Sequence, residues 1–364
     1  MLQCFTCPKV YDEESPIWRC ECGSFLVHRF GRTPALEPRQ IVARASDWWR
    51  YEEALPLKNR ENRVRLGEGV TSLGKGVLAG EEVFLKNDGE CFTGSFKDRG
   101  TFLMVSKFRE WGLRQVVEDS SGNAGASVAA YARQAAIKAQ IFAPSYTEPT
   151  KLANITRYGA DLIKVDGTRE DTAQAALAAS RDSYYASHNW NPYFPAGVKS
   201  LAYEIWEQLG FVAPDRVVVP AGGGSSLLGL YYGFMELAET GRTDRLPRLT
   251  AVQSSACAPL CKSFAARAPE TRPVTKGQTV AEGIVIADPV KGAAMLKALY
   301  DTDGACLSVS EAEIFSALET LEAQGYHVEP TAAVSSAGYQ QGLQRGIISS
   351  HETTVVLLTG RKKK

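Results

Sequence analysis

From about Val83 onward, short β-branched apolar runs alternate with Ala-rich stretches of helical length, and this alternation constrains the fold most. Runs such as Val217-Val218-Val219 and Val355-Val356-Leu357-Leu358 carry no polar alternation. A strand with one wet face alternates apolar and polar residues, whereas a strand buried on both faces does not. Buried strands separated by helices imply an α/β protein with mostly parallel sheets. Strands are expected over 83–85, 116–117, 139–142, 162–165, 216–219, 250–253 and 354–358. Helices are expected over 95–111, 123–136, 149–158, 171–181, 198–209, 225–239, 311–324 and 331–345, and a short one over 47–51.

The 364 residues suit about two domains. Lys plus Arg number 41 and Asp plus Glu 41, so the formal net charge is zero. A neutral chain has no global field to steer it to nucleic acid or to an anionic membrane. The apolar runs fall well short of the roughly 20 residues that span a bilayer. The first 25 residues lack a basic start followed by an apolar core, so a cytoplasmic location is expected. The closing Lys362-Lys363-Lys364 reads as a solvated terminus.

Four of the eight cysteines crowd into the first 22 residues. Cys4-Phe5-Thr6-Cys7 is followed after twelve residues by Cys20-Glu21-Cys22. Two such thiolate knuckles can close a tetrahedral zinc site, and a segment this short cannot build its own core. A structural zinc held by Cys4, Cys7, Cys20 and Cys22 is therefore expected. Four thiolates leave no open position, so a catalytic metal is not.

Three segments at strand-to-helix junctions carry the chemistry. In Thr93-Gly94-Ser95-Phe96-Lys97-Asp98, Gly94 and Ser95 read as a turn and helix cap, with Lys97 in the first helical turn. The helix dipole disfavours a cation there, and a neutral lysine is the amine that forms Schiff bases. In Ser120-Ser121-Gly122-Asn123-Ala124-Gly125, small residues and hydroxyls at a helix start offer backbone N–H groups to a carboxylate. In Ala221-Gly222-Gly223-Gly224-Ser225-Ser226, a strand runs through three glycines into a helix start, which is a phosphate cradle. Its spacing matches neither the dinucleotide fingerprint nor the Walker motif. Each segment alone also reads as an ordinary capped turn.

Together, however, the three resemble threonine synthases, pyridoxal-phosphate enzymes of fold type II. Residues 93–100 resemble the family's lysine motif, 120–125 its substrate loop and 222–226 its cofactor-phosphate loop. Leu66-Gly67-Glu68-Gly69-Val70-Thr71, Thr279-Val280-Ala281-Glu282-Gly283-Ile284, Glu329-Pro330-Thr331 and Leu358-Thr359-Gly360 are similar in the same order. A cysteine ribbon also occurs in threonine-synthase-like proteins. The resemblance implies a two-domain fold, with a larger cofactor-binding domain of 31–101 and 197–364. A smaller domain of 102–196 carries the substrate loop, and 1–30 is a zinc-ribbon-like segment. It implies pyridoxal 5'-phosphate as cofactor, an amino-acid substrate, a homodimer and carbon-oxygen lyase chemistry. Lys97 would be the Schiff-base lysine and proton shuttle, and Asn123 would bond the cofactor's 3-hydroxyl. Gly222, Gly223, Gly224, Ser225 and Ser226 would hold its phosphate, and Thr359 would face its pyridine nitrogen. Ser121, Gly122 and Ala124 would frame the substrate carboxylate.

Departures fall at the substrate end. The family's arginine and hydroxyl that grip a substrate phosphate align with Phe194 and Asn189, and losing a bidentate arginine weakens phosphate binding. Lys151, Arg157 and Lys199 are the candidate replacement cations. Two enzymatic readings follow. One is conversion of O-phosphohomoserine and water to threonine and phosphate. The other is β-elimination or β-replacement on serine, threonine or O-phosphoserine, in the manner of a dehydratase or cysteate synthase. A non-catalytic sensor fits poorly with an intact Lys97. A nucleic-acid-binding ribbon fits poorly with Lys9 and Arg19 set against Asp12, Glu13, Glu14 and Glu21.

Overall fold

A computed structural model describes residues 1–362. Lys363 and Lys364, the end of the basic tail, lie outside the described residues. In chain order the elements are β1 (Leu2–Cys4), β2 (Val10–Tyr11), β3 (Leu26–His28), α1 (Pro38–Ala43), β4 (Leu73–Leu78), β5 (Glu81–Asn87), α2 (Lys97–Glu110), β6 (Gln115–Glu118) and α3 (Asn123–Gln134). There follow β7 (Lys138–Pro144), α4 (Pro149–Arg157), β8 (Asp161–Val165), α5 (Arg169–Ala179), β9 (Tyr184–Tyr185), α6 (Tyr193–Gln208), β10 (Arg216–Pro220) and α7 (Ser225–Glu239). The chain closes with β11 (Arg248–Ser254), α8 (Pro259–Ala265), α9 (Gly292–Asp301), β12 (Ala305–Val309), α10 (Glu311–Ala323), α11 (Pro330–Gln344) and β13 (Thr354–Leu358). The expected α/β class with parallel strands is what forms.

The chain divides into two compact units. The first comprises Met1–Arg32, Asp47–Glu68 and Lys97–Val198; the second comprises Thr33–Ser46, Gly69–Phe96 and Lys199–Lys364. Residues 47–68 cluster with the first unit rather than with the larger one, as does the cysteine ribbon.

The first unit holds a parallel sheet ordered β8-β7-β6-β9 and the antiparallel ribbon β2-β1-β3. The second holds one six-stranded sheet, β12-β11-β10-β13-β5-β4, parallel except for the edge strand β4. Every residue of β10 and β13 is buried, which is why their sequences run apolar without alternation. Helix α11 covers this sheet with small residues, and a Cβ on Gly338 would come within 2.3 Å of Val252 Cγ2.

Helix α6 starts at Tyr193, five residues before the expected start. Asn191 Oδ1 accepts the Tyr193 N–H at 2.9 Å, and Pro195 falls in the first turn, where its missing donor costs nothing. The expected cap at Ser95 does not form. Its hydroxyl is buried with no partner among the described residues, and its backbone bridges to Gly360, so α2 opens directly on Lys97.

Candidate active site

Within the second unit, β10 and β13 are parallel neighbours with Arg216 opposite Thr354 and Val218 opposite Val356. Their C-terminal ends therefore lie side by side, at the edge where open α/β sheets gather ligands. From β10 the chain enters Ala221-Gly222-Gly223-Gly224 and then α7; from β13 it enters Thr359. Gly224 is the helix cap at φ +88°, a conformation that favours glycine, and no side chain caps the helix. The first N–H groups of α7 are thus available to an anion. Gly222 admits no side chain, because a Cβ would sit 2.8 Å from Ile284 Cα.

The other family-like segments converge on this loop. Gly283 N–H donates to Thr331 Oγ1 at 3.1 Å, and Glu329 N–H donates to Gly360 O at 3.0 Å. Thr359 is only 3% exposed, and its Oγ1 has no partner among the described residues. Phe96 N–H donates to Thr359 O at 2.9 Å, so the residue immediately before Lys97 is tied to the backbone of Thr359.

Within the first unit, Lys97 opens α2, and Asp98 accepts a hydrogen bond from Ser127 of α3 at 2.6 Å. Helix α3 begins at Asn123 behind Gly122, again with no side-chain cap. A Cβ on Gly125 would lie 1.9 Å from Ser120 O, so only glycine lets the 120–125 loop close this tightly. Ser121, Gly122 and Asn123 are half-buried at the helix start, whereas the Ala124 side chain is fully packed, leaving its backbone N–H as the group it can offer.

Phe194 is fully buried, and its ring centre lies 5.8 Å from Lys97 Nζ. A Cβ on Gly100 would approach that ring to 2.6 Å, so the position is a packing site under α2. Lys199, one candidate replacement cation, is committed elsewhere: its Nζ donates to both Glu236 oxygens at 2.7 and 3.0 Å. Arg157 is exposed at the end of α4, and Lys151 lies 3.8 Å from Glu148.

Two carboxylates went unnoticed in the sequence. Glu68 is buried, and one of its oxygens has no partner among the described residues; burial, with Asp98 and Asp47 nearby, pushes its carboxyl up to about 7. Glu118, at the end of β6, is fully buried and lies 2.9 Å from His188 Nδ1. Burial, then Asp119, raises its carboxyl well above the ordinary range. Glu68 stands in the Leu66–Thr71 segment, but nothing in that segment announces its burial, and Glu118 is a single acid beside an apolar run.

The Sγ atoms of Cys4, Cys7, Cys20 and Cys22 all lie within 4.8 Å of one another, with Cys4 to Cys22 at 3.5 Å and Cys7 to Cys20 at 3.7 Å. The N–H groups of Thr6 and Cys7 both point at Cys4 Sγ at 3.4 Å.

Within the second unit, a glycine cradle at a helix start and a buried hydroxyl with no partner among the described residues fit a cofactor that carries a phosphate. The sequence profile of pyridoxal-phosphate dependent enzymes matches residues 64–360, and the chain belongs to that family. More particularly, it is 34% identical to a threonine synthase of Methanocaldococcus jannaschii, over 99% of this chain and 92% of that one. It is 31% identical to a threonine synthase of Methanosarcina acetivorans, over 99% and 91%. The processed form of threonine deaminase isoform 2 from Solanum lycopersicum shares the fold at a TM-score of 0.71 and 21% identity, covering 92% of this chain and 96% of that one. Among the described residues, no helix is long and apolar enough to cross a membrane.

Proposed function

We propose that this protein converts O-phosphohomoserine and water to threonine and phosphate. The observation that carries the reading is its likeness, over nearly the whole of both chains, to proteins named threonine synthase. The local structure supports it. Gly222, Gly223, Gly224, Ser225 and Ser226 hold the cofactor phosphate at the start of α7, where a left-handed Gly224 and a Cβ-free Gly222 leave room. Thr359, whose hydroxyl has no partner among the described residues, would face the cofactor's pyridine nitrogen, and Asn123 would bond its 3-hydroxyl, as the family resemblance implies. When bound, pyridoxal phosphate supplies an electron sink for the carbons next to the substrate's amine. A neutral hydroxyl at the ring nitrogen keeps that sink moderate, which suits elimination and replacement better than transamination.

Ser121, Gly122 and the Ala124 N–H orient the substrate carboxylate at the start of α3. Lys97 carries the cofactor and moves the protons. Its amine would take a proton from Cα and then from Cβ, the Cγ–O bond would break with its electron pair leaving on phosphate, and the protons would return to Cγ and to Cα as water adds its hydroxyl at Cβ and gives its remaining proton to the phosphate. Cys4, Cys7, Cys20 and Cys22 hold a structural zinc. Zn–S bonds of about 2.3 Å in a tetrahedron place sulfurs roughly 3.8 Å apart, close to the observed 3.5 and 3.7 Å. N–H groups aimed at a thiolate are the usual outer support of such a site. The reading carries with it a cytoplasmic homodimer, as the family resemblance implies.

The buried Phe194 favours a second reading, β-elimination from an unphosphorylated amino acid. The holoenzyme supplied with O-phosphohomoserine is expected to release phosphate and threonine in equal amounts. Ammonia and a 2-oxo acid from serine or threonine, with no phosphate released from O-phosphohomoserine, would establish the second reading instead.

A further inference from the structure

The cysteine ribbon reaches further into the first unit than a module that holds only itself together requires. Cys7 and Cys20 bring their Sγ atoms to 3.7 Å, and the twelve residues between them form a loop closed at its base. Three groups of that loop touch the body of the unit. The Trp18 ring meets Tyr185 and Trp190 edge-on, at centroid distances of 5.1 and 5.8 Å. Arg19, next to Cys20, lies over the Trp18 and Trp190 rings at 4.7 and 5.8 Å. The Glu13 carbonyl accepts from Trp111 Nε1 at 3.0 Å and from Tyr193 Oη at 3.1 Å.

Each contact falls on an element that leads to a candidate site residue. Trp111 follows α2, which opens on Lys97, and Tyr193 opens α6 just ahead of Phe194. Trp190 lies in the turn that enters α6, its N–H donating to Ser187 O at 2.9 Å. Tyr185 ends β9, a strand of two residues at the edge of the sheet. It stands opposite Val117 of β6, and Ala186 N–H donates to Val117 O at 2.7 Å. So short a strand has few ladder bonds, and its side chains must hold it in place. Tyr185 does so by joining Val117, Phe142 and Ala176 in an apolar cluster against which Trp18 and Trp190 pack. From that pairing β6 runs through Glu118 and Asp119 into the 120–125 loop. Trp18 is thus one side chain away from the strand pair that delivers the loop.

We propose that the loop between Cys7 and Cys20 is a zinc-set brace for the substrate-carboxylate loop, with Trp18 as its positioning residue. Zinc on Cys4, Cys7, Cys20 and Cys22 fixes the base of the ribbon loop. Trp18 then keeps β9 on β6, and so keeps residues 120–125 in the form that binds. The proposal rests on the reading above, in which the ribbon holds zinc and Ser121, Gly122 and the Ala124 N–H meet the carboxylate. Trp18 acts through Tyr185 and β6, not on the substrate itself.

Amide hydrogen exchange read by mass spectrometry tests it on the holoenzyme, with zinc content and cofactor absorption recorded for every sample. Trp18→Ala is expected to keep zinc and cofactor while peptides spanning 116–127 and 184–193 exchange roughly 3- to 10-fold faster, the worth of an aromatic pair. Trp18→Phe, which keeps an aromatic edge on Tyr185, should stay within about twofold of the parent. The parent stripped of zinc by a chelator should speed up in the same two peptides. Faster exchange confined to residues 1–30, or spread evenly over the whole chain, would overturn the proposal. So would a parent isolated without zinc, or one that exchanges alike with and without it. Should Trp18→Ala not fold, the parent with and without chelator decides by the same two peptides. Every amino acid shares the carboxylate, so O-phosphohomoserine and serine should both need a roughly 3- to 10-fold higher concentration to shift the cofactor absorption of Trp18→Ala. Faster exchange over 116–127 with neither concentration changed would uphold the brace and remove the carboxylate from that loop.

Discussion

Glu68 shows how a single residue of a family-like motif takes on a property that its spelling does not announce. Its Oε2 accepts the Leu66 N–H at 2.5 Å while the rest of the carboxyl is buried, and its proton is held up to about 7. Between the ordinary carboxylate value of about 4.3 and 7, the unfolded chain has released this proton and the folded chain has not, so stability falls as pH rises through that window. Glu68→Gln should remove this decline. Its thermal midpoint is expected to exceed that of the parent by more at pH 8 than at pH 5, and an equal difference at both values would contradict the assignment. Phe194 carries a second lesson at this scale. Its place in the sequence suggests a missing arginine that substitution would restore, yet its ring fills a fully buried site against Gly100. Phe194→Arg is therefore expected to destabilise by about 3 kcal/mol or more, through an uncompensated buried charge, without tightening phosphate binding. Denaturant unfolding and phosphate inhibition would check both parts. Lys97, Asn123 and the glycine cradle were open to proposal from the sequence because their motifs are local in it. Glu118 and His188 were not, because 70 residues separate them and only the pairing of β6 with β9 brings them together.

At the scale of elements, strands with continuous β-branched runs were legible, whereas the edge strands β4, β9 and β12 were not. Strand β4 carries Gly74 and Gly76, because a Cβ at those positions would meet Tyr326 Oη and Leu85 Cδ1 within 2.6 Å, so its composition is set by its neighbours rather than by β propensity. Strand β12 (Ala-Cys-Leu-Ser-Val) is likewise weak in sequence and forms because β11 offers it a parallel edge. The Leu66–Thr71 segment also does structural work at its end. Thr71 N–H and Oγ1 donate to Glu204 Oε1 at 2.8 and 3.1 Å, and Lys86 Nζ donates to the same oxygen at 2.5 Å, to Gln208 at 2.7 Å and to Thr71 O at 2.7 Å. Lys86 and Glu204 are both fully buried, which ties β5 to α6 through an ion pair. Lys86→Met should cost about 3 kcal/mol by stranding Glu204, and Lys86→Met with Glu204→Gln should recover much of it. A double variant no more stable than the single one would show that the pair is not coupled.

For the molecule as a whole, the alternating strand–helix pattern was enough to give the α/β architecture. The division into two compact units is a matter of tertiary packing. Assigning residues 47–68 to one or the other depends on tertiary packing such as Trp48 and Trp49 against Phe102, which no local pattern encodes. The four-cysteine cluster should make the intact protein a zinc protein, with about one zinc per chain; stripping it with a chelator is expected to lower the thermal midpoint by several degrees. Identical unfolding with and without the metal would remove zinc from the account. The account's central claim is that Lys97, tied through Phe96 to Thr359, carries the cofactor. Borohydride reduction of the yellow holoenzyme, which fixes pyridoxal phosphate to the amine that holds it, followed by peptide mass mapping tests this most directly. The modification is predicted on the peptide containing Lys97 and on no other; a modification at another lysine, or none at all, would contradict it.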